Sequence, residues 1–270
     1  KLFDDLRGGV FGDFSTGLDE HWQVETGQIY TAVERAAFKQ RIEAERQQRQ
    51  ADELHQYEAA AKKAAELLAA AGADPKQHPY AIKKGVDFGP RVKRGAWPQR
   101  GWKDALLITI YGADGKIWSL EAINADGDKD YLKGGRKRGG FHPLGKVSGA
   151  NRVLVGEGLA TVAAVHAVDG AAAAAAMDSG NLSGVAQTVR GLAPEAEIIL
   201  LADNDIKPDG SNPGLKAATE AAQAVGGRVV VPELDGQKCD FWDVWHERGA
   251  DAVREALFKI QDFATATVAT

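Results

Sequence analysis

Short apolar runs alternate with Ala-rich helical patterns over the last part of the chain. Aliphatic or small-residue runs at Arg152–Val155, Ala171–Met177, Glu197–Ala202 and Arg228–Val231 are separated by stretches with helical spacing. Strands that alternate with helices in this way are typical of a parallel sheet covered on both faces. The pattern therefore predicts an α/β domain over residues 151–270. The predicted helices run to about Val168, around Gly184–Leu192, over Gly214–Val225, and after Asp240 and Ala250.

One of these runs contradicts its own composition. Ala171 to Ala176 is six consecutive alanines, and alanine is the strongest helix former. We predict a strand there because the alternation requires one, and because burial in a sheet can override intrinsic propensity.

Three further regions precede the α/β domain. Residues 1–30 are rich in Gly and Asp, and Val10–Phe14 and Trp22–Val24 predict a small hairpin around Ser15–Gly17. Residues 31–74 predict one or two long charged helices that act as a strut, since Thr31 to Ala71 contains no Gly or Pro. Residues 75–150 predict a mixed α+β subdomain, with a hairpin formed by Asp104–Tyr111 and Lys116–Asn124.

Composition limits the class of protein. The chain has 270 residues, of which 44% are hydrophobic and 26% charged, as is typical of soluble globular proteins. No apolar run approaches the roughly 20 residues of a membrane helix. The single cysteine, Cys239, excludes an internal disulfide and favours a reducing cytoplasm.

Charge is unevenly distributed along the chain. The net charge is −5, but residues 78–150 contain fourteen Lys and Arg against seven Asp and Glu, an excess of +7. A local basic excess of this kind indicates a surface for phosphate groups.

Acidic residues follow two of the predicted strands. Glu157 comes just after Arg152–Val155, and Asp203 and Asp205 come after the apolar run Ile198–Ala202. Acids at i and i+2 on an extended chain point to the same side, and ligands bind at the carboxyl ends of parallel strands. Carboxylates clustered there suit Mg²⁺. Alternatively, Glu157 is only the polar edge of a strand-to-helix turn, and the two aspartates are loop residues.

These motifs resemble a known family. Glu157–Val162, followed by a strand that ends in Asp203-x-Asp205, resembles the Toprim domain of primases, topoisomerases and certain nucleases. The sequence EGLATV is most similar to the EGYATA motif of primases from conjugative plasmids and satellite phages. Leu159 replaces the motif's Tyr, and no zinc-binding module is present. Other segments that resemble those primases are His78–Val86, Trp118–Leu120, Lys133–Gly145, Met177–Leu182 and Pro213–Ala218.

The resemblance implies a fold and a reaction. The fold would be a Toprim domain, which is Rossmann-like, with a mostly parallel sheet and helices on both faces. The reaction would be primer synthesis, a nucleotidyl transfer with DNA-directed RNA polymerase activity that depends on Mg²⁺ or Mn²⁺. Asp203 and Asp205 would be the main metal ligands, and Glu157 would be either a ligand or a general base. The implied partners are single-stranded DNA, nucleoside triphosphates and a replicative helicase or relaxase, with no membrane.

Further residues are candidates for binding the nucleotide. The Gly-rich run that contains Lys133, Arg136, Lys137 and Arg138 would bind phosphate oxygens, although such runs are often solvated loops. The other candidates are Gly158 at the start of a helix, Lys216 near the start of another, and Asp240, which is equally placed as a helix N-cap. Trp97, Trp102, Trp118, Trp242 and Trp245 are candidates for stacking on bases, with core packing the default for Trp118 and Trp242.

Two alternative functions remain open. The same acids could hydrolyse phosphodiesters in a Toprim-type nuclease. The chain could also be a non-catalytic nucleic-acid-binding module with a vestigial site. Shortening of labelled DNA in the absence of nucleotides would distinguish the nuclease from the primase. Thermal stability that does not change on adding Mg²⁺ or Mn²⁺ would favour the non-catalytic module.

Overall fold

The computed structural model describes residues 8–13, 18–23 and 31–259. The chain divides into two compact units between Glu58 and Ala59. In the first unit, strand β1 (Gly8–Asp13) pairs antiparallel with strand β2 (Leu18–Gln23), which confirms the predicted hairpin. The predicted turn residues, together with Phe14 and Val24, lie outside the described residues.

A single long helix, α1 (Ala32–Ala70), crosses the boundary between the units. It begins with reciprocal hydrogen bonds, because the Thr31 N–H donates to Glu34 Oε2 at 2.8 Å and the Glu34 N–H donates to Thr31 Oγ1 at 3.3 Å. This is a capping box, which satisfies donors that a helix start leaves free. The helix ends shortly before Gly72, as predicted.

The second unit contains an antiparallel sheet that follows a short helix, α2 (Pro79–Lys84). The predicted hairpin is confirmed by the pairing of its two central strands, and the sheet has the order β3-β4-β5-β6. Its strands are β3 (Lys93–Trp97), β4 (Trp102–Tyr111), β5 (Ile117–Ile123) and β6 (Lys129–Tyr131).

A second, five-stranded sheet has helices on both faces and confirms the predicted α/β class. Its order is β11-β10-β8-β9-β7, with every pairing parallel except that of β7 with β9. The strands are β7 (His142–Leu144), β8 (Arg152–Gly156), β9 (Ala172–Ala175), β10 (Glu197–Leu201) and β11 (Arg228–Val230). The helices are α3 (Leu159–Asp169), α4 (Leu182–Leu192), α5 (Pro213–Val225) and α6 (Phe241–Phe258), the last interrupted at Gly249.

The alanine run forms a strand, as the alternation predicted. Ala172–Ala175 pairs with β8 on one side and with β7 on the other, and Ala173–Ala175 are fully buried. Hydrogen bonding on both edges therefore outweighs the helix propensity of alanine. Small side chains also let the covering layers approach closely.

The two faces of the parallel sheet belong to different cores. Val153 and Val155 of β8 pack in the cluster that includes α4 and α5. Leu154 points to the other face, into a cluster that α3 and α6 share with Ile108 and Ile110 of β4. The antiparallel sheet and the parallel sheet are thus joined through one hydrophobic core, which fixes the position of one relative to the other.

Some aromatic candidates for base stacking lie in the protein interior. Trp97 is fully buried and its Nε1–H donates to Asp130 Oδ2 at 2.7 Å, so the prediction that it could stack on bases is wrong. Trp118 is also buried, in agreement with the default. His142 is a structural residue, since it is fully buried and its Nδ1 bonds to the Thr109 carbonyl at 2.9 Å; burial lowers its pKa to about 4. Within the described ranges, no helix has the length and apolarity needed to cross a bilayer.

Candidate metal and nucleotide site

Two of the three predicted acids leave neighbouring strands at the same edge of the parallel sheet. β8 and β10 are hydrogen-bonded neighbours, and Gly156 lies opposite Leu201. Glu157 follows the first of these residues, and Asp203 follows the second by two positions. Since adjacent strands are about 4.8 Å apart, the two chain segments that carry these acids leave the sheet side by side, although they are about fifty residues apart in the sequence.

The backbone around Glu157 depends on the small size of glycine. A Cβ on Gly156 would lie 2.8 Å from Val162 Cγ2 and 3.2 Å from Leu201 Cβ, so the start of α3 packs directly on the strand end. Gly158 is the N-cap of α3. The N–H of Met177 donates to the Glu157 carbonyl at 2.9 Å, which fixes the same segment from β9.

The pKa values indicate that the acids share one electrostatic environment. Burial raises the pKa of Glu157, and the charges of Asp178 and Asp205 raise it further, while a hydrogen bond from the Ser179 backbone acts in the opposite direction. Burial also raises the pKa of Asp203 to about 7, with additional contributions from Glu157, Asp240 and Asp205. Carboxylates that perturb one another in this way mark a candidate functional site.

The segment Asp203–Asp205 is held in place by hydrogen bonds of Asn204 and Asn212. Asn204 is buried, and its Nδ2 donates to the Pro232 carbonyl at 3.0 Å. Asn212 then holds the segment from α5, because its Nδ2 donates to Asn204 Oδ1 at 2.9 Å and its Oδ1 accepts from the Asp205 N–H at 3.1 Å. Of the two aspartates, Asp203 is partly buried and Asp205 is exposed.

Gly214 packs closely against the backbone of Asp203. A Cβ on Gly214 would lie 3.0 Å from the Asp203 carbonyl carbon and 3.1 Å from its Cβ, and still closer to its carbonyl oxygen. Sequence reasoning assigned no role to Gly214 or to Asn212. Both lie at the start of α5, and their contacts with Asp203–Asp205 depend on how the chain folds back after the loop.

Asp240 is both a helix N-cap and a neighbour of the acids. Its Oδ1 accepts from the Asp243 N–H at 2.9 Å, and Asp243 Oδ2 accepts from the Asp240 N–H at 2.8 Å, which makes a capping box for α6. Burial raises the pKa of Asp240, and its charge in turn raises that of Asp203. The two roles that the sequence left open for Asp240 are therefore compatible.

Carboxylates such as those of Glu157, Asp203 and Asp205 are suitable ligands for a divalent cation, but their side chains do not form a complete metal-binding site in this structure. Among the described residues, no three His, Cys, Asp or Glu side chains converge closely enough to hold one metal ion. Asp203 Oδ1, however, is buried without a hydrogen-bond partner. An orphaned oxygen among mutually repelling carboxylates fits a site that a hard cation would complete. The predicted triad of Glu157, Asp203 and Asp205 stays a prediction.

The basic loop, which we define as residues 133–140, lies between β6 and β7 and contacts Asp178. Lys137 Nζ is 3.2 Å from Asp178 Oδ2 and 3.7 Å from the centre of the Tyr131 ring. The Arg136 guanidinium lies 5.7 Å from the centre of the Trp118 ring. Lys133, Arg136 and Arg138 flank Lys137 on the same loop. Lys137 thus contacts Asp178, whose charge raises the pKa of Glu157.

Lys216, the remaining lysine predicted to bind the nucleotide, lies on the surface. Lys216 lies on α5 and pairs with Glu220 at 3.8 Å, with both side chains largely exposed. This distance and exposure indicate a weak pair that a ligand could replace. Its predicted role in binding the nucleotide stays a prediction.

Sequence reasoning missed two lysines near the acids. Lys129 of β6 is exposed, and its charge opposes the effect of burial on the pKa of both Glu157 and Asp203. Lys84 lies 3.3 Å from the centre of the Trp242 ring; burial lowers its pKa, while Asp240 and Asp243 oppose that effect. Both lysines belong to the basic excess of residues 78–150, which was the available sequence signal. Their proximity to the acids depends on the three-dimensional fold.

Comparison with known proteins agrees with this architecture. Residues 152–251, which contain Glu157, Asp203, Asp205 and Asp240, match the family model of the Toprim domain. This part of the chain is a Toprim domain. The Toprim fold predicted from the sequence is therefore confirmed.

The chain also has relatives among curated DNA primases. It is 32% identical over 230 residues to the DNA primase TraC of Escherichia coli, covering 83% of this chain and 21% of the relative. A second Escherichia coli DNA primase TraC is 31% identical over 223 residues, which cover 80% of this chain and 15% of the relative. The chain thus spans about a fifth or less of the length of these relatives.

Solved structures share the fold. A DnaG primase catalytic domain bound to ssDNA has a TM-score of 0.53 and 14% identity, over 78% of this chain and 80% of that one. The DnaG catalytic core has a TM-score of 0.53 and 15% identity, over 76% and 80%. At this level of identity the likeness establishes the fold alone.

Proposed function

We propose that the chain is the catalytic region of a DNA primase that makes short primers on single-stranded DNA. The single observation that carries the proposal is the position of Glu157 and Asp203 just beyond the ends of two adjacent strands, where the charge of Glu157 raises the pKa of Asp203. Relatedness to proteins named DNA primase supports the same function.

The reaction is a nucleotidyl transfer. A 3′-hydroxyl attacks the α-phosphate of a nucleoside triphosphate, a new phosphodiester forms, and pyrophosphate leaves. Asp203 and Asp205 would hold Mg²⁺ or Mn²⁺, which supplies charge neutralisation and orients the phosphate oxygens. Glu157 either joins them as a ligand or takes the proton of the hydroxyl, and a raised pKa suits the second role.

The basic residues would bind the polyphosphate and the template. Lys137 pairs with Asp178, whose charge acts on Glu157, and from there its ammonium would reach the phosphates of a nucleotide held at the acids. Lys133, Arg136, Arg138 and Lys216 would add positive charge around it. One of the proteins that share the fold, a DnaG primase catalytic domain, is bound to ssDNA, which supports a DNA template here. Association with a replicative helicase or relaxase is proposed from the resemblance alone.

Conservative substitution of the acids tests the proposal. Glu157→Gln, Asp203→Asn and Asp205→Asn should each abolish primer formation from nucleoside triphosphates on single-stranded DNA. Circular dichroism should show an unchanged fold. Asp209→Asn is the matched control, because Asp209 is an exposed acid of the same loop whose carboxylate accepts from Ser211.

The results separate the alternative functions. Synthesis retained by all three variants would reject the proposal. Shortening of labelled DNA without nucleotides would favour the nuclease. A thermal midpoint that does not respond to Mg²⁺ or Mn²⁺, together with no synthesis, would favour the non-catalytic module.

A further inference from the structure

One short turn contacts both halves of the site. Residues 176–181, which we call the β9–α4 turn, lead from β9 into α4. The N–H groups of Ala176 and Met177 donate to the carbonyls of Gly156 and Glu157, at 2.8 and 2.9 Å. Met177 has a positive φ of 72°, which is uncommon for a residue other than glycine. The turn is therefore bound to the backbone that presents Glu157.

The same turn holds the backbone of the basic loop through Asn181. The Asn181 Oδ1 accepts from the Gly139 N–H at 2.8 Å, and its Nδ2 donates to the carbonyls of Gly140 and Ala176, both at 2.9 Å. The side chain is buried. Close packing reinforces this junction, since a Cβ on Gly184 would lie 3.2 Å from the Gly139 nitrogen.

Asp178 holds the side chain of Lys137 on the basic loop. Its Oδ1 accepts from the Asn181 N–H at 3.0 Å, and its Oδ2 pairs with Lys137 Nζ at 3.2 Å. The ring of Tyr131 lies against the same ammonium, and the Tyr131 hydroxyl donates to the Met177 carbonyl at 2.9 Å. Lys137 is thus directed by two groups that are both attached to the turn.

We propose that Asn181 and Asp178 are positioning residues that set the distance between the basic loop and the catalytic acids. Asn181 fixes the loop backbone, and Asp178 directs Lys137 to where the triphosphate of a nucleotide must lie when its α-phosphate is at Glu157 and Asp203. The inference rests on the proposed function. A displacement of about 1 Å can cost about 10²-fold in rate. The contacts between the β9–α4 turn and the basic loop therefore determine whether a bound nucleotide is placed correctly for the reaction.

The main experiment compares Asn181→Ala with Arg190→Ala. Both residues belong to the α4 segment and bond to several backbone groups, but Arg190 contacts the carbonyls of Val225, Pro194 and Ala196. Four quantities are measured for each variant: the KM and the kcat for nucleotides in primer synthesis, the affinity for a fluorescent ATP analogue with Mg²⁺, and the shift in thermal midpoint on adding Mn²⁺.

Asn181→Ala should raise the KM about tenfold or more and weaken analogue binding by the same factor. The Mn²⁺-induced shift should stay as in the unmodified chain, because the acids are untouched. Arg190→Ala should lower the thermal midpoint without changing the KM. An unchanged KM in Asn181→Ala, or equal changes in the two variants, would overturn the proposal.

A second variant covers the case in which Asn181→Ala does not fold. In Asp178→Asn the new amide oxygen can still accept from the Asn181 N–H, so the turn is kept while the charge that directs Lys137 is lost. Asp178→Asn and Lys137→Met should each raise the KM, and the double variant should show no further increase. Additive effects would contradict the role of Asp178.

The design also distinguishes failure of the proposed function. An unmodified chain that binds the analogue but makes no primer contradicts the primase proposal alone, since the binding comparison still tests the positioning residues. An unmodified chain that does not bind the analogue overturns both.

Discussion

Replacing Gly214 with alanine tests how closely α5 supports the acids. The added Cβ would lie 3.0 Å from the Asp203 carbonyl carbon and closer still to its oxygen. Restoring an ordinary carbon–oxygen contact of about 3.3 Å requires a relative shift of about 1 Å. Overpacking of this kind costs about 1–3 kcal/mol, and the better helix propensity of alanine offsets about 0.5–1 kcal/mol. We expect a net loss of about 1–2 kcal/mol in the free energy of unfolding.

The effect on activity should be larger than the effect on stability. A shift of about 1 Å in Asp203 should reduce primer synthesis about 10²-fold, while urea denaturation shows that the protein stays folded. Gly191→Ala is the matched control, because Gly191 lies inside α4 and a Cβ there meets nothing within 4 Å. It should retain full synthesis and gain a little stability. Equal activity and stability in the two variants would refute the reasoning.

Two further predictions concern the same acids. Because the pKa of Asp203 is raised to about 7 in the folded chain, its contribution lowers stability progressively from about pH 4, below which both states are protonated, to about pH 7, above which the loss is complete. Asp203→Asn should therefore be more stable than the unmodified chain at pH 8 in urea denaturation, with the difference vanishing near pH 4; a difference independent of pH would contradict this. Asn212→Ala removes the N-cap of α5 and the acceptor for the Asp205 N–H, so it should lose about 1 kcal/mol and need more Mn²⁺ for half-maximal synthesis. Asn212→Asp should recover the stability of the cap without the donor to Asn204, and identical behaviour of all three proteins in both assays would reject the role of Asn212.

The fold was predictable where one pattern repeats along the chain. The alternation that identified β8 and β10 also identified β9, although Ala172–Ala175 has the composition of a helix. Short elements were missed. The pairing of His142–Leu144 with β9 is antiparallel and depends on a chain segment that returns from the other sheet, which no local periodicity reports.

The site was predictable only as far as strand order determines it. Glu157 and Asp203 meet because two parallel strands are neighbours, and a sequence can indicate that. Asp178, Asn181 and Gly214 lie in segments that resemble the primases, but sequence reasoning assigned none of the three a role. Their roles arise from contacts with residues 139, 137 and 203, which only the packed chain brings near. Trp97 shows the opposite error, because an aromatic side chain in a basic region was assigned to the surface and lies in the core.

The shared hydrophobic core has a consequence for protein engineering. Leu154 of one sheet and Ile108 and Ile110 of the other belong to a single apolar cluster. A fragment cut near residue 150 would expose that apolar surface to water and should aggregate. A chimaera that replaces this parallel sheet with one from another protein must therefore carry an apolar surface complementary to the antiparallel sheet. Otherwise the basic loop and the acids will not reach their correct relative positions, even if each part folds.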